Sequence, residues 1–156
     1  MRRSDREIHD IDEMMEILQK GDVCHVALVD GNIPYIVALN YGCDRIGDQV
    51  ALYFHAANSG KKLEVILANN AACFMVDTDH QLIRGEKGCD WGMKYRSVVG
   101  RGLVEIVEDP EDRKHGLDLL MKHYSGRTGF EYDERIFQVT VVLRIRVTEL
   151  TGKKKE

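Results

Sequence analysis

The sequence predicts a mainly β fold: an antiparallel sheet of about six strands closed into a small barrel, with three helices outside it. Three observations predict this. Apolar and polar residues alternate through several short runs, and turns rich in glycine, asparagine and aspartate separate those runs. No strand–helix–strand repeat supports a parallel sheet, and no G-x-G-x-x-G motif is present. An open antiparallel sheet would leave exposed edges, which closure into a barrel removes.

The elements follow in order. Asp10 and Glu13 read as a capping pair ahead of a helix in which Ile11, Met14, Met15 and Leu18 recur at helical spacing, ended by Gly21. Val23 to Val29 reads as a strand, and Asp30-Gly31-Asn32 as a hairpin turn. The partner strand is Ile33 to Tyr41, with Pro34 near its start, where a missing N–H costs little. A second turn over Gly42 to Asp48 leads to a strand at Val50 to Phe54. A second helix spans Ser59 to Ala68 with Leu63, Ile66 and Leu67 on one face, and Ala72 to Val76 is again a strand. Residues 80–94 are rich in glycine and charge and hold the only tryptophan, Trp91, so they read as an irregular binding loop. Tyr95 to Val107 returns to strand, with Gly100 and Gly102 marking a bulge or close backbone approach. Asp109-Pro110-Glu111 opens a third helix that runs to about His123. Phe137 to Leu150 is a half-buried strand, with Val139, Val141, Leu143, Ile145 and Val147 on one face and Thr140, Arg144, Arg146 and Thr148 on the other.

At 156 residues the chain fits one domain over residues 1–156. Net charge is −4, and the one basic run, Lys153-Lys154-Lys155, reads as a solvated tail, so a nucleic-acid partner is not expected. The charged N-terminus is followed by no apolar run of signal-peptide or bilayer length, so neither a membrane partner nor export is expected and the location is cytoplasmic by default. Cys24, Cys43, Cys73 and Cys89 form no C-x-x-C pair, and His9, His80, His115 and His123 share no ligand spacing, so no metal is expected. His80 follows Asp77 and Asp79, which reads as a solvated turn, with a weak metal site as the alternative.

The segment Tyr53-Phe54-His55-Ala56-Ala57-Asn58-Ser59-Gly60-Lys61-Lys62-Leu63 carries the chemistry. A strand ends in a histidine, a small polar turn follows, and two lysines open a helix. A helix start offers free N–H groups and a positive dipole end, and two ammonium groups add charge that only an anion needs. The segment therefore reads as the phosphate end of a cofactor site, with His55 near the cofactor's body. Adjacent lysines diverge on a helix, so one of the two reaches the phosphate, and Lys61, nearer the start, is slightly favoured. The bland alternatives are a solvated helix face for the lysines and a carbonyl-satisfied strand-end histidine for His55. No Ser-His-Asp or Cys-His constellation stands out.

Four pieces carry a family resemblance: Met1-Arg2-Arg3-Ser4-Asp5-Arg6-Glu7-Ile8; Pro34-Tyr35-Ile36-Val37-Ala38-Leu39-Asn40-Tyr41; Tyr53 through Leu63; and Cys89-Asp90-Trp91 followed by Tyr95-Arg96-Ser97-Val98-Val99-Gly100-Arg101-Gly102. In this order they resemble the pyridoxamine 5′-phosphate oxidase-related flavoproteins, in the branch of the nitroimidazole-resistance (Nim) proteins. The resemblance implies a six-stranded antiparallel split β-barrel of the FMN-binding type, with FMN at a homodimer interface. It implies that Val37, Ala38, Leu39 and Asn40 lie along the flavin ring as strand backbone, and that His55 sits beside the ring as the catalytic candidate. It implies that Ser59, Lys61 and Lys62 hold the 5′-phosphate, and that Trp91, Tyr95 and Ser97 approach the flavin. Trp91 is equally readable as a core or interface anchor. The implied function is an FMN-dependent oxidoreductase that passes electrons from a reduced donor to a small organic acceptor, nitroreductase-like. The alternative is a non-catalytic flavin-binding protein acting as electron carrier, sensor or store. True pyridoxamine phosphate oxidases carry a C-terminal arginine–histidine motif, and haem-degrading split barrels also use a C-terminal histidine. This chain has no histidine after His123, which disfavours both activities.

Overall fold

The computed structural model describes residues 3–156, so Met1 and Arg2 of the N-terminal motif lie outside the described residues. The elements are β1 (Glu7–Ile8), α1 (Ile11–Lys20), β2 (Cys24–Asp30), β3 (Ile33–Leu39), β4 (Gly42–Ile46), β5 (Gln49–Ala57), α2 (Lys61–Ala68), β6 (Ala71–Ile83), β7 (Gly92–Val107), α3 (Pro110–Ser125), α4 (Glu134–Val139) and β8 (Thr140–Lys155). All strands belong to one antiparallel sheet in the order β3-β2-β6-β7-β8-β5-β4, with β1 on the far part of β8. The two ends of this path, β3 and β4, are joined through Asn40 and Tyr41, which brings the sheet's edges round toward each other. No ladder joins them among the described residues, so the barrel is split there.

Alternation along the strands turns Val26, Leu28, Leu52, Phe54, Phe74, Val76, Val98, Leu143 and Ile145 into one interior, and Met14, Met15, Ile17 and Leu18 of α1 pack into it. Burying each large aliphatic side chain contributes roughly 1.5–3 kcal/mol. A smaller cluster of Tyr53, Val107, Leu120 and Val142 lies between α3 and the sheet. It explains why Val142 and Leu143 are both buried: β8 has the barrel interior on one side and α3 on the other.

The mainly β reading holds, but the sheet has eight strands rather than six. Gly42 to Asp48 is not a turn throughout. Gly42–Ile46 pairs with β5, and Gly47-Asp48 alone makes the bend. Glycine is needed at 42 because a Cβ there would press on the Leu119–Leu120 backbone of α3. Within residues 80–94 the irregular stretch is 84–91, narrower than the sequence suggests, since β6 runs to Ile83 and β7 starts at Gly92. This hairpin tip lacks alternation because both of its faces are largely exposed. The strand expected from Phe137 begins at Thr140, because Asp133 caps a short helix, α4, through the N–H groups of Arg135 and Ile136.

The lysine-rich end is likewise strand and not tail: Lys153, Lys154 and Lys155 pair with Ser97, Arg96 and Tyr95 of β7. Glu13 draws Lys154 in at 3.0 Å and Arg96 at 2.6 Å. Glu13 is thus not the reciprocal half of a capping box. Asp10 alone caps α1, through the N–H of Asp12. Tyr41, fully buried, donates to the carbonyls of Leu18 (2.5 Å) and Gly21 (3.1 Å) and closes the end of α1 against the β3–β4 link. His123 Nε2 donates to the same Gly21 carbonyl at 2.7 Å, which ties α3 to that corner.

Candidate functional site

The β3–β4 split is flanked by an edge strand, a helix start and a cavity. Within β3, Tyr35, Val37 and Leu39 pack against the core, while Ile36, Ala38 and Asn40 lie outward. β3 pairs only with β2, so its other edge keeps N–H and C=O groups free for a ligand. That is the backbone of Val37, Ala38, Leu39 and Asn40.

His55 faces out of β5 between the buried Phe54 and Ala56. It lines a cavity of about 420 Å³ together with Asn40. The opposite wall comes from Leu117, Leu120 and Met121 of α3 and from Ile136 and Phe137 of α4. Arg113 fixes this wall: it donates to the Thr140 carbonyl at 2.8 Å and to the Phe137 carbonyl, and its guanidinium lies 4.4 Å from the Phe137 ring centre. Tyr132, also lining the cavity, donates to Asp118 at 2.7 Å, and burial together with that acceptor raises its phenol's pKa.

Three residues, Asn58 to Gly60, separate β5 from α2. Asp10, Asp109 and Asp133 cap the other three α-helices with their carboxylates. Gly60 stands at the start of α2 with φ of +124°, and no side chain caps this helix. Its first N–H groups therefore remain open to an outside acceptor. Ser59 lies just outside the helix, exposed, rather than within it. Lys61 is ion-paired to Asp30 at 2.6 Å, which raises its pKa. Lys62 is partly buried, and burial lowers its pKa. Among the described residues it makes no ion pair. An ammonium group held in that state at an uncapped helix start fits a phosphate.

Tyr95 and Ser97 lie on β7, and Trp91 just before it, away from His55. His55 is paired with Val142 near the start of β8, whereas Ser97 is paired with Lys153 near its end. The separation of Val142 and Lys153 along an extended strand is roughly 36 Å. Trp91 is 49% exposed after the hairpin tip, Tyr95 lies under the Lys153 ammonium (5.7 Å), and Ser97 is buried. One chain therefore brings Asn40 and His55 to one cavity and sets Ser59 to Lys62 at the helix start that follows. Ser97 is far from His55 along β8, but it pairs with Asp77, two residues from Met75, and Met75 leads through His25 to Ala38, so three strand steps, roughly 15 Å, separate that part of β7 from β3.

The α3–α4 wall escaped sequence reading. Its signal was Asp133, a helix-capping residue type that the strand reading from Phe137 passes over. His25 faces out between Ala38 and Met75, and its Nδ1 is buried without a partner among the described residues. Around it, Ala27, Ile36, Met75 and Val99 form an outward apolar surface. Asp77 and His80 pair with each other at 2.8 Å. Among the described residues no group of three or more His, Cys, Asp or Glu is placed to hold a metal ion, and no helix is long and apolar enough to cross a membrane.

A family model described as pyridoxamine 5′-phosphate oxidase matches residues 10–154. No curated protein matches. Among solved structures, a candidate 5-nitroimidazole antibiotic resistance protein from Bacteroides thetaiotaomicron is 30% identical, with a TM-score of 0.82 over 96% of this chain and 90% of that one. A flavocytochrome from Azotobacter vinelandii is 17% identical, with a TM-score of 0.81 over 100% of this chain and 72% of that one. An FAD-binding protein from Mesorhizobium loti is 24% identical, with a TM-score of 0.69 over 97% of this chain and 98% of that one. The latter two are alike in fold.

Proposed function

The chain belongs to the pyridoxamine 5′-phosphate oxidase family, and on that premise we propose that it binds FMN and acts as an oxidoreductase on a small organic acceptor. The observation that carries the proposal is the uncapped start of α2 with the partly buried, unpaired Lys62, one short turn from His55 and the cavity.

The division of labour follows from these positions. The open N–H groups of α2, Lys62 and Ser59 hold the 5′-phosphate. Lys61 adds positive potential while bonded to Asp30. The free edge of β3 from Val37 to Asn40 offers N–H and C=O groups to the ring, and Ala38 presents little bulk on the exposed side. Bound FMN supplies two-electron chemistry that no side chain here provides. His55 lies between that edge and the cavity, so its imidazole can hold or donate a proton to a molecule bound there. The apolar α3–α4 wall limits water at the same place.

The site is completed by a second copy in this reading. The outward apolar surface around His25, Ile36 and Met75 gives two copies something to bury, and Trp91, Tyr95 and Ser97 of one copy meet the flavin held by the other. The relative named for 5-nitroimidazole resistance supports nitroaromatics as one class of acceptor.

The test is reductive. Protein reconstituted with FMN is mixed anaerobically with NADH or NADPH and then with a nitroaromatic acceptor. Bleaching of the flavin band by a donor, and its return with the acceptor, is the expected result. FMN that binds tightly but responds to neither donor supports a carrier, sensor or store instead.

A further inference from the structure

The cavity beside His55 has a charge preference written into its rim. Its walls are mostly apolar, from Leu117, Leu120, Met121, Ile136 and Phe137. Its volume of about 420 Å³ falls in the usual range for small-molecule sites, roughly 300–1,000 Å³. The charged residues among its lining are both acidic: Glu131 and Asp133, on the segment between α3 and α4. No lysine or arginine lines it. Asp133 spends one oxygen, Oδ1, on the N–H groups of Arg135 and Ile136. Glu131 makes no hydrogen bond or ion pair among the described residues. Tyr124 and Met121 bring the C-terminal turn of α3 to the same cavity, and that end of a helix carries partial negative charge. Three sources of negative potential thus converge on an apolar space whose own lining holds no lysine or arginine, while Arg113 stands behind its wall, bonded to the Phe137 and Thr140 carbonyls. The Arg113 and Arg127 guanidiniums lie over the Phe137 and Phe130 rings.

We propose that this cavity is the acceptor-side subsite of the flavin site and selects flat aromatic molecules that are cationic or neutral, rejecting carboxylates and phosphates, with Glu131 as the selecting residue. The proposal rests on the flavin reading for its place in the reaction and on the cavity alone for its selectivity. A phosphate would instead be steered to the start of α2, on the cofactor side. The division keeps the two ends of the site from competing for one ligand.

The test uses the full chain, with FMN added, and two probes of matched shape: 2-phenylethylamine and 3-phenylpropionate. Calorimetric titration should show the amine binding at least about tenfold tighter than the carboxylate, the size expected for a nearby partly screened charge. The overall charge of −4 would also favour a cation anywhere on the surface, so two variants separate site from surface. Glu131→Gln should shrink the preference to about threefold or less. Ile136→Trp, at a position 64% exposed on α4 and therefore tolerant of the change, should fill the cavity and abolish binding of both probes. Equal binding of the two probes, a preference unchanged in Glu131→Gln, or binding unaffected by Ile136→Trp would each overturn the proposal. FMN absorbance of each sample after desalting is read alongside. Loss of FMN with the amine preference intact sinks the flavin reading and spares the subsite. FMN retained with no amine preference does the opposite.

Discussion

Lys61 on α2 reaches back to Asp30 at the end of β2, 2.6 Å away, while its neighbour Lys62 is turned into partly buried surroundings without a counter-charge. Two adjacent ammonium groups are thereby given different work. Lys62→Ala should weaken FMN binding about tenfold or more and leave riboflavin binding nearly unchanged, since a charge-assisted phosphate hydrogen bond is worth roughly 1.5–3 kcal/mol. Lys61→Ala should cost less than Lys62→Ala, because it removes a lysine already satisfied by Asp30. Parallel fluorescence titrations with FMN and riboflavin read both effects.

Tyr41 is the hinge pin of the β3–β4 link on which the edge strand depends. Tyr41→Phe keeps the ring but strips the hydrogen bonds to the Leu18 and Gly21 carbonyls. The buried Leu18 carbonyl is then left without that donor, which should lower stability by about 1–3 kcal/mol in urea unfolding. The fold should otherwise be retained, because His123 still donates to Gly21.

Glu13 gives the fold an acid limb. Hydrogen bonds from Arg96 and Lys154 hold its carboxyl below the ordinary 4.5. A carboxyl whose pKa is depressed on folding stabilises fully above its unfolded pKa and loses that contribution as pH falls through the folded value. Stability should therefore decline as pH drops below about 4.5. Glu13→Gln should be less stable than the parent at neutral pH, and the two should converge in acid. Thermal melts across that range, with both proteins, check the sign.

Much of this was legible in the chain. The hairpin at Gly31, the glycine-ended α1, the proline-opened α3 and the β5–α2 segment all rest on local rules, and local rules can be read from neighbours in sequence. What was missed depends on distant partners. Lys153 to Lys155 look like a tail until Glu13 and β7 draw them in. Gly42 to Ile46 look like a turn until α3 covers them. The cavity wall was hidden for the same reason: Asp133 caps a helix whose apolar face is explained only by the space beneath it. The difference between Lys61 and Lys62 turns on Asp30, which lies three strands earlier in the chain.

The dimer reading has its own consequence. Ile36 is 65% exposed on the outward face, in the row that includes Ala27 and Cys73. Ile36→Glu combined with Met75→Glu should convert a dimer to a monomer in light scattering without unfolding the barrel, because both side chains leave the core untouched. FMN retention should fall with it, since Trp91, Tyr95 and Ser97 then come from no second copy. A chain that is already monomeric, or one that stays dimeric with both glutamates, would place the flavin partner residues elsewhere.

The central claim is that this chain holds FMN, and the visible absorption spectrum of the purified protein tests it most directly. After incubation with excess FMN and desalting, the protein should keep the yellow flavin band at close to one FMN per chain, and Lys62→Ala should keep markedly less. A colourless parent protein that retains no FMN would contradict the account.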